Sequence, residues 1–482
     1  MKNNIAKFAS IAFVGGIVGR GLRYAINVVI AQGLGTDALG LFAFGMVVMK
    51  AGSIPARLGL DTAVQKFIPI YRNDEETSKV SGTALLGLVT PLVIGSGLSL
   101  LLYFNRAAIS AFTGNRFGSA IQLFIVGIPL FSTMMVASNA TKGLKETKYF
   151  VYTRDIGQSS VAFLLVAVGA FVLNDLRLTI LGYVVSLGVG VLLAVFFLLR
   201  RGVISLDVRP QFEFTEIFLV SMPLTVALVT QYLVSWTDIL MLGFFVSPAR
   251  VGWYQAAYQT SMLLLVVLQA ASSIFPSLAA DLYHNGKKDR LEMVYTVVTK
   301  WVSFFTVLGL IFLATYAGPV LQIFGTSTES ARLALVILAF GQTTAAMVGP
   351  SGYLLIMSGY EKLQMINSVA VCAMNIGLNF LLIRQFGIVG AAAATSSSIA
   401  TLNVLRLVEV RYLLGIQPYS RRFWKGVIAI LVSTIVLVGG RLMGIGSFLG
   451  TVLIGAVALG VFGVVVYLLG FENDKVLVEA ID

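Results

Sequence analysis

Long apolar runs follow one another along the whole chain, separated only by short polar stretches. Runs of about 20 residues or more are the signature of helices that cross a bilayer. Fourteen are expected, over residues 8–32, 39–62, 81–103, 117–139, 155–173, 178–199, 215–245, 251–277, 294–316, 331–357, 364–384, 388–410, 424–443 and 446–470. They are about twice as long as a barrel strand and lack period-two alternation, which excludes a membrane β-barrel. None of the polar stretches is long enough to fold by itself, so any function has to reside in the helices. The expected fold is therefore an all-α polytopic membrane protein.

The polar positions also repeat. At an offset of 212 residues Gly40 stands opposite Gly252, Tyr71 opposite Tyr283 and Asn73 opposite Asn285. Nearby, Phe67–Ile68–Pro69 answers Ile274–Phe275–Pro276, and the stretch Lys142–Lys148 answers Ser358–Gln364. An offset of six helices preserves orientation, so the halves are parallel repeats about an axis along the membrane normal. Two six-helix lobes, residues 1–209 and 210–415, are expected, followed by two extra helices and a short polar tail over 416–482.

Composition sharpens the picture. Residues are 57% hydrophobic and 12% charged, against about 25% charged in soluble domains. The net charge of +12 is explained by Lys and Arg gathered in alternate loops rather than by nucleic acid. With the amino terminus inside, the inner loops hold about three times as many of these cations as the outer ones, which places both termini in the cytoplasm. The expected location is the plasma (inner) membrane. The single Cys372 excludes an internal disulfide, and the single His284 sits in a polar stretch.

A few cations break the apolar pattern. Arg20, Arg23 and Asn27 step by three and four along the first helix, and Lys50, Ser53, Arg57 and Asp61 do so along the second. Each set therefore shares a helix face. An Arg or Lys at the centre of a spanning helix costs roughly 2.5–3.5 kcal/mol, so four cost about 10 kcal/mol. They are tolerated where they line an aqueous or ligand-filled cavity, and two facing cationic stripes form half of an internal anion site. Only Asp61 is set against them in these helices, opposite Arg57. At the 212-residue offset Arg20 corresponds to Tyr232, Arg23 to Ser235, Lys50 to Met262 and Arg57 to Gln269. The first lobe thus offers charge to an anion, and the second offers neutral hydrogen-bonding groups, Tyr232 and Gln269. Asp61 and Asp238 are the candidate carboxylates for coupling or gating. Neither catalytic residues nor a metal site are expected.

Several stretches resemble the polysaccharide-export branch of the multidrug/oligosaccharidyl-lipid/polysaccharide exporter superfamily, the O-antigen-type lipid-linked oligosaccharide flippases. They are Leu34–Gly45 (LGTDALGLFAFG), Thr237–Tyr258 (TDILMLGFFVSPARVGWYQAAY), Ser272–Leu282 (SSIFPSLAADL) and Phe386–Thr395 (FGIVGAAAAT). The resemblance covers nearly the whole chain. It implies alternating access between two lobes and outward movement of a polyprenyl-pyrophosphate sugar, with the cations of the first lobe on the phosphate and Tyr232 and Gln269 toward the sugar, in a pathway shared with a glycan polymerase or glycosyltransferases. No cofactor is implied beyond a coupling proton or sodium ion, and the partners are the bilayer and the lipid-linked glycan. A membrane enzyme would need paired carboxylates or a metal motif, and ATP hydrolysis a phosphate-cradling glycine loop; the chain has neither. The competing expectations are a cation-coupled multidrug antiporter of the same superfamily, which needs an acid rather than arginines deep in helix 1, and a peptidoglycan-precursor flippase.

Overall fold

The computed structural model describes residues 2–107, 118–144, 146–205, 207–326, 328–420 and 423–469. The expected polar tail beyond Leu469 lies outside the described residues. Every regular element among the described residues is helical. In chain order they are α1 (Lys2–Arg57), α2 (Leu60–Asn73), α3 (Thr77–Phe104), α4 (Gly118–Val126), α5 (Ile128–Lys142), α6 (Lys148–Val172), α7 (Leu176–Arg200) and α8 (Phe214–Phe245). There follow α9 (Pro248–Met262), α10 (Val266–His284), α11 (Lys288–Gln322), α12 (Glu329–Val348), α13 (Ser351–Met357), α14 (Glu361–Glu409), α15 (Phe423–Leu442) and α16 (Phe448–Leu468).

Among the described residues nine helices are long and apolar enough to span a membrane, or eleven when each of two bent pairs counts as one crossing. Two of the nine are far longer than one crossing requires. Val14–Arg57 and Glu361–Leu414 run to 44 and 54 residues. Each turns at a glycine, Gly35 (φ 89°, ψ 171°) and Gly387 (φ 57°, ψ −128°). These angles are open only to a residue without a Cβ. Both glycines fall where the hydrophobic pattern breaks, so the fourteen segments of the sequence are approached when each long helix is divided there.

Compact packing divides the chain into Met1–Gly252 and Trp253–Asp482, whereas the sequence repeat divides it at residue 209. The difference lies in α8, which packs on α1 and α2. Tyr71 of α2 donates a 2.7 Å hydrogen bond to Glu216 at the start of α8. Within this first unit the turn before Gly40 meets the turn before Gly252. A Cβ on Gly40 would lie 1.9 Å from the Pro248 carbonyl oxygen, and one on Gly252 2.0 Å from that of Thr36. The two glycines that the repeat makes equivalent are thus packed against each other.

In the second unit the two legs of α14 are joined by polar pairs. Asn367 donates to the Glu409 carboxylate at 2.7 and 2.8 Å, Arg406 to Gln364 at 3.2 Å, and Asn375 to Ser398 at 3.2 Å. With no water in the hydrocarbon, polar side chains there are satisfied by a neighbouring helix.

Candidate functional site

The first unit collects the cations. The first half of α1 lies along α6, which departs from α geometry into a π-helical stretch over Val151–Gln158. The approach is close at Gly19, where a Cβ would lie 2.7 Å from the Asp155 carbonyl oxygen. Such contact brings Asp155 beneath Arg23. Both terminal nitrogens of Arg23 reach Oδ1 of Asp155, at 3.3 and 3.4 Å, and Nη1 also donates to Ser159 Oγ at 3.3 Å. Ser159 Oγ in turn donates to the Arg154 carbonyl at 3.2 Å. Asn27 is buried and donates to the Arg23 carbonyl at 2.7 Å. That bond fixes the helix backbone around the arginine.

The second stripe is built differently from expectation. The segment expected as one helix over 39–62 breaks after Arg57, because Leu58 and Gly59 both take left-handed angles (φ 47° and 69°). Arg57 and Asp61 face each other across this break, with Nη1 3.1 Å from Oδ2 and both residues buried. Arg57 Nε also donates to the Ser53 carbonyl at 3.3 Å, and Ser53 donates to the Lys50 carbonyl at 2.7 Å. Ser53 therefore spends its hydroxyl on the backbone. The Lys50 ammonium lies 4.2 Å from the ring centroid of Trp236 on α8, a cation–π contact. Tyr232, one turn earlier, donates its hydroxyl to the Val47 carbonyl and stacks on Trp236 with centroids 6.5 Å apart.

Charge balance departs from the sequence in two ways. First, Asp61 is the carboxylate that these helices themselves set against the stripe, and a second comes from outside them: Asp155 of α6 holds Arg23. As the first residue of its expected span, Asp155 reads in the sequence as a loop charge. Second, α6 begins at Lys148, so Arg154, expected in an inner loop, belongs to the helix. Arg154 lies within coulombic range of Arg23, Arg57 and Lys50, and Lys142 within range of Arg154, Asp155 and Asp61. Arg20 is in range of Arg23 and Asp155. Six cations thus share one region with two carboxylates.

Two further expected residues lie on α8 and α10. Asp238 is buried on α8, where Oδ1 accepts from the Ile239 amide at 2.8 Å. Gln269 lies on α10 in the second unit and is exposed. Among the described residues no group of three His, Cys, Asp or Glu is placed to hold a metal ion.

Spanning helices around a basic, ion-paired interior define an integral membrane protein of transporter build. The polysaccharide biosynthesis protein family matches residues 5–280, more than half of the chain, and the chain belongs to that family. It is 27% identical over 458 residues, 92% of each chain, to a Haloferax volcanii protein named probable low-salt glycan biosynthesis flippase Agl15. A second Haloferax volcanii protein, named probable flippase AglR, is 31% identical over 180 residues, 36% of this chain and 37% of its own. Among solved structures, the lipid II flippase MurJ in an inward-closed conformation shares the fold with a TM-score of 0.69 at 17% identity, covering 96% of this chain and 99% of its own. An inward-facing MATE-family multidrug resistance transporter does so with a TM-score of 0.67 at 15% identity, covering 84% and 98%.

Proposed function

We propose that the protein is a flippase that carries a lipid-linked oligosaccharide, a polyprenyl-pyrophosphate sugar, from the inner to the outer leaflet by alternating access, for surface glycan synthesis. The observation that carries this is the basic cluster of α1, α5 and α6. Six cations against two carboxylates leave a net positive interior at membrane depth, and low-dielectric walls focus its field. A pyrophosphate head gains charge-assisted hydrogen bonds from the arginine forks, while its apolar tail stays in lipid. The naming of both Haloferax relatives as flippases supports the same cargo class.

In this scheme Arg20, Arg23, Lys50 and Arg57 receive the head, together with Arg154 and Lys142. Asn27 and Ser53 hold the backbone that presents them, and Tyr232 and Gln269 remain the sugar contacts. Asp238 is the candidate coupling carboxylate for a proton or sodium ion, and Asp61 gates by holding Arg57. The membrane is the plasma membrane, both termini are cytoplasmic, and the partners are the pathway's polymerase or glycosyltransferases. Sharing a fold with the multidrug transporter does not favour a cationic cargo, which this interior would repel.

Thermal unfolding of the purified protein tests the proposal. Polyprenyl-pyrophosphate sugars are expected to raise the midpoint, the shift shrinking in Arg23→Ala, and ethidium to leave it unmoved. Stabilisation by ethidium and not by the pyrophosphate lipid overturns the flippase in favour of the antiporter.

A further inference from the structure

Arg23 and Asp155 are unequal partners. The arginine side chain is 42% exposed and the aspartate 11%, so the cation faces open space while the carboxylate is set into the helix packing. Asp155 is fixed from three sides: by the π-helical stretch that carries it, by α1 closing on it at Gly19, and by Ser159, which holds the same guanidinium. The contact itself is loose. Both nitrogens share one oxygen at 3.3 and 3.4 Å, whereas a strong arginine–carboxylate fork uses two oxygens at about 2.7–2.9 Å. A second anion therefore reaches Arg23 without moving the backbone.

Resting on the flippase reading above, we infer that Asp155 is a positioning residue that acts as a built-in competitor for the cargo's phosphate at Arg23. In the empty site it neutralises the guanidinium, which otherwise stands at membrane depth without a counter-charge, a costly state. When pyrophosphate enters, Arg23 swaps a weak carboxylate contact for phosphate oxygens. When the cargo leaves, Asp155 takes the guanidinium back. A carrier needs this reversibility, since a site has to bind strongly enough to load and weakly enough to unload. Six cations with no internal competitor would hold the head group and stall the cycle. Asp61 does not serve in the same way, because its partner Arg57 is buried with it at 3.1 Å.

The experiment compares wild type with Asp155→Asn, Asp155→Glu and the double variant Arg23→Gln/Asp155→Asn. Binding of a short-chain polyprenyl pyrophosphate to purified protein is measured beside export in a complemented deletion strain, with membrane levels and elution profiles as folding controls. Asp155→Asn is expected to bind about fivefold tighter, which is ~1 kcal/mol, and yet to export more slowly. Asp155→Glu should restore both values, and the gain in affinity should vanish when Arg23 is also replaced. A merely structural tie would lower both binding and export. Equal or weaker binding in Asp155→Asn, a gain that persists without Arg23, or failure of both Asn variants to fold overturns the inference and leaves the flippase reading intact. No binding by wild type overturns that reading and this inference together.

Discussion

Lys50 shows how much of the site a single residue reveals in advance. Its charge inside an apolar run marks it as a site candidate, and its i+3 and i+7 neighbours Ser53 and Arg57 follow from helical spacing alone. Its cover was not legible: Trp236 lies 186 positions away in sequence, and no local pattern pairs the two. Asp155 was hidden for a related reason. A carboxylate one residue inside a span boundary reads as a loop charge unless the boundary is known, and boundaries are the least certain part of a hydropathy reading. The same uncertainty hid Arg154. Sequence therefore shows the four cations of α1 but neither Arg154 and Lys142 beside them nor the anion that pairs with Arg23. The practical result is that the site's free charge was overstated at Arg23 and understated at the ends of α5 and α6.

At the scale of elements, the hydrophobic pattern placed the helices well and their bends unevenly. Gly35 and Gly387 were legible because each sits in a short polar or glycine-rich gap. The break at Leu58–Gly59 was not, because it interrupts an amphipathic continuation, and neither was the π-helical stretch of α6, whose composition is ordinary. Gly35 separates backbone strain from crowding. Nothing lies within 4 Å of the Cβ it lacks, so Gly35→Ala meets only the cost of its angles, about 1–3 kcal/mol. Gly377 is its control: it also has open space, but sits inside a helical leg of α14. There alanine should add about 0.5–1 kcal/mol of stability. Thermal midpoints of the two purified variants should move in opposite directions. A rise for both would mean that the turn at Gly35 tolerates a Cβ.

At the scale of the whole molecule, orientation fixes what the basic cluster faces first. If both termini are cytoplasmic, single cysteines at Asn105 and Asn174, in a Cys372→Ala background, should react with an impermeant thiol reagent added outside intact cells. Cysteines at Asn73 and Asn285, equivalent under the repeat, should react only after permeabilisation; all four positions are exposed. Reverse labelling would invert the transport direction proposed here. The contact between Gly40 and Gly252 carries a different consequence, in epistasis. Gly40→Ala pushes against Pro248 and Gly252→Ala against Thr36, so each alone has to pry the same two turns apart. Once the first methyl has opened the gap, the second enters space already made. The double variant should therefore lose clearly less stability than the two single losses combined, a departure from additivity well beyond the 0.3–0.5 kcal/mol scatter of about the usual independent pair. Two mutations that are each harmful would then be tolerated together, and this contact between two turns would drift through paired changes rather than single ones.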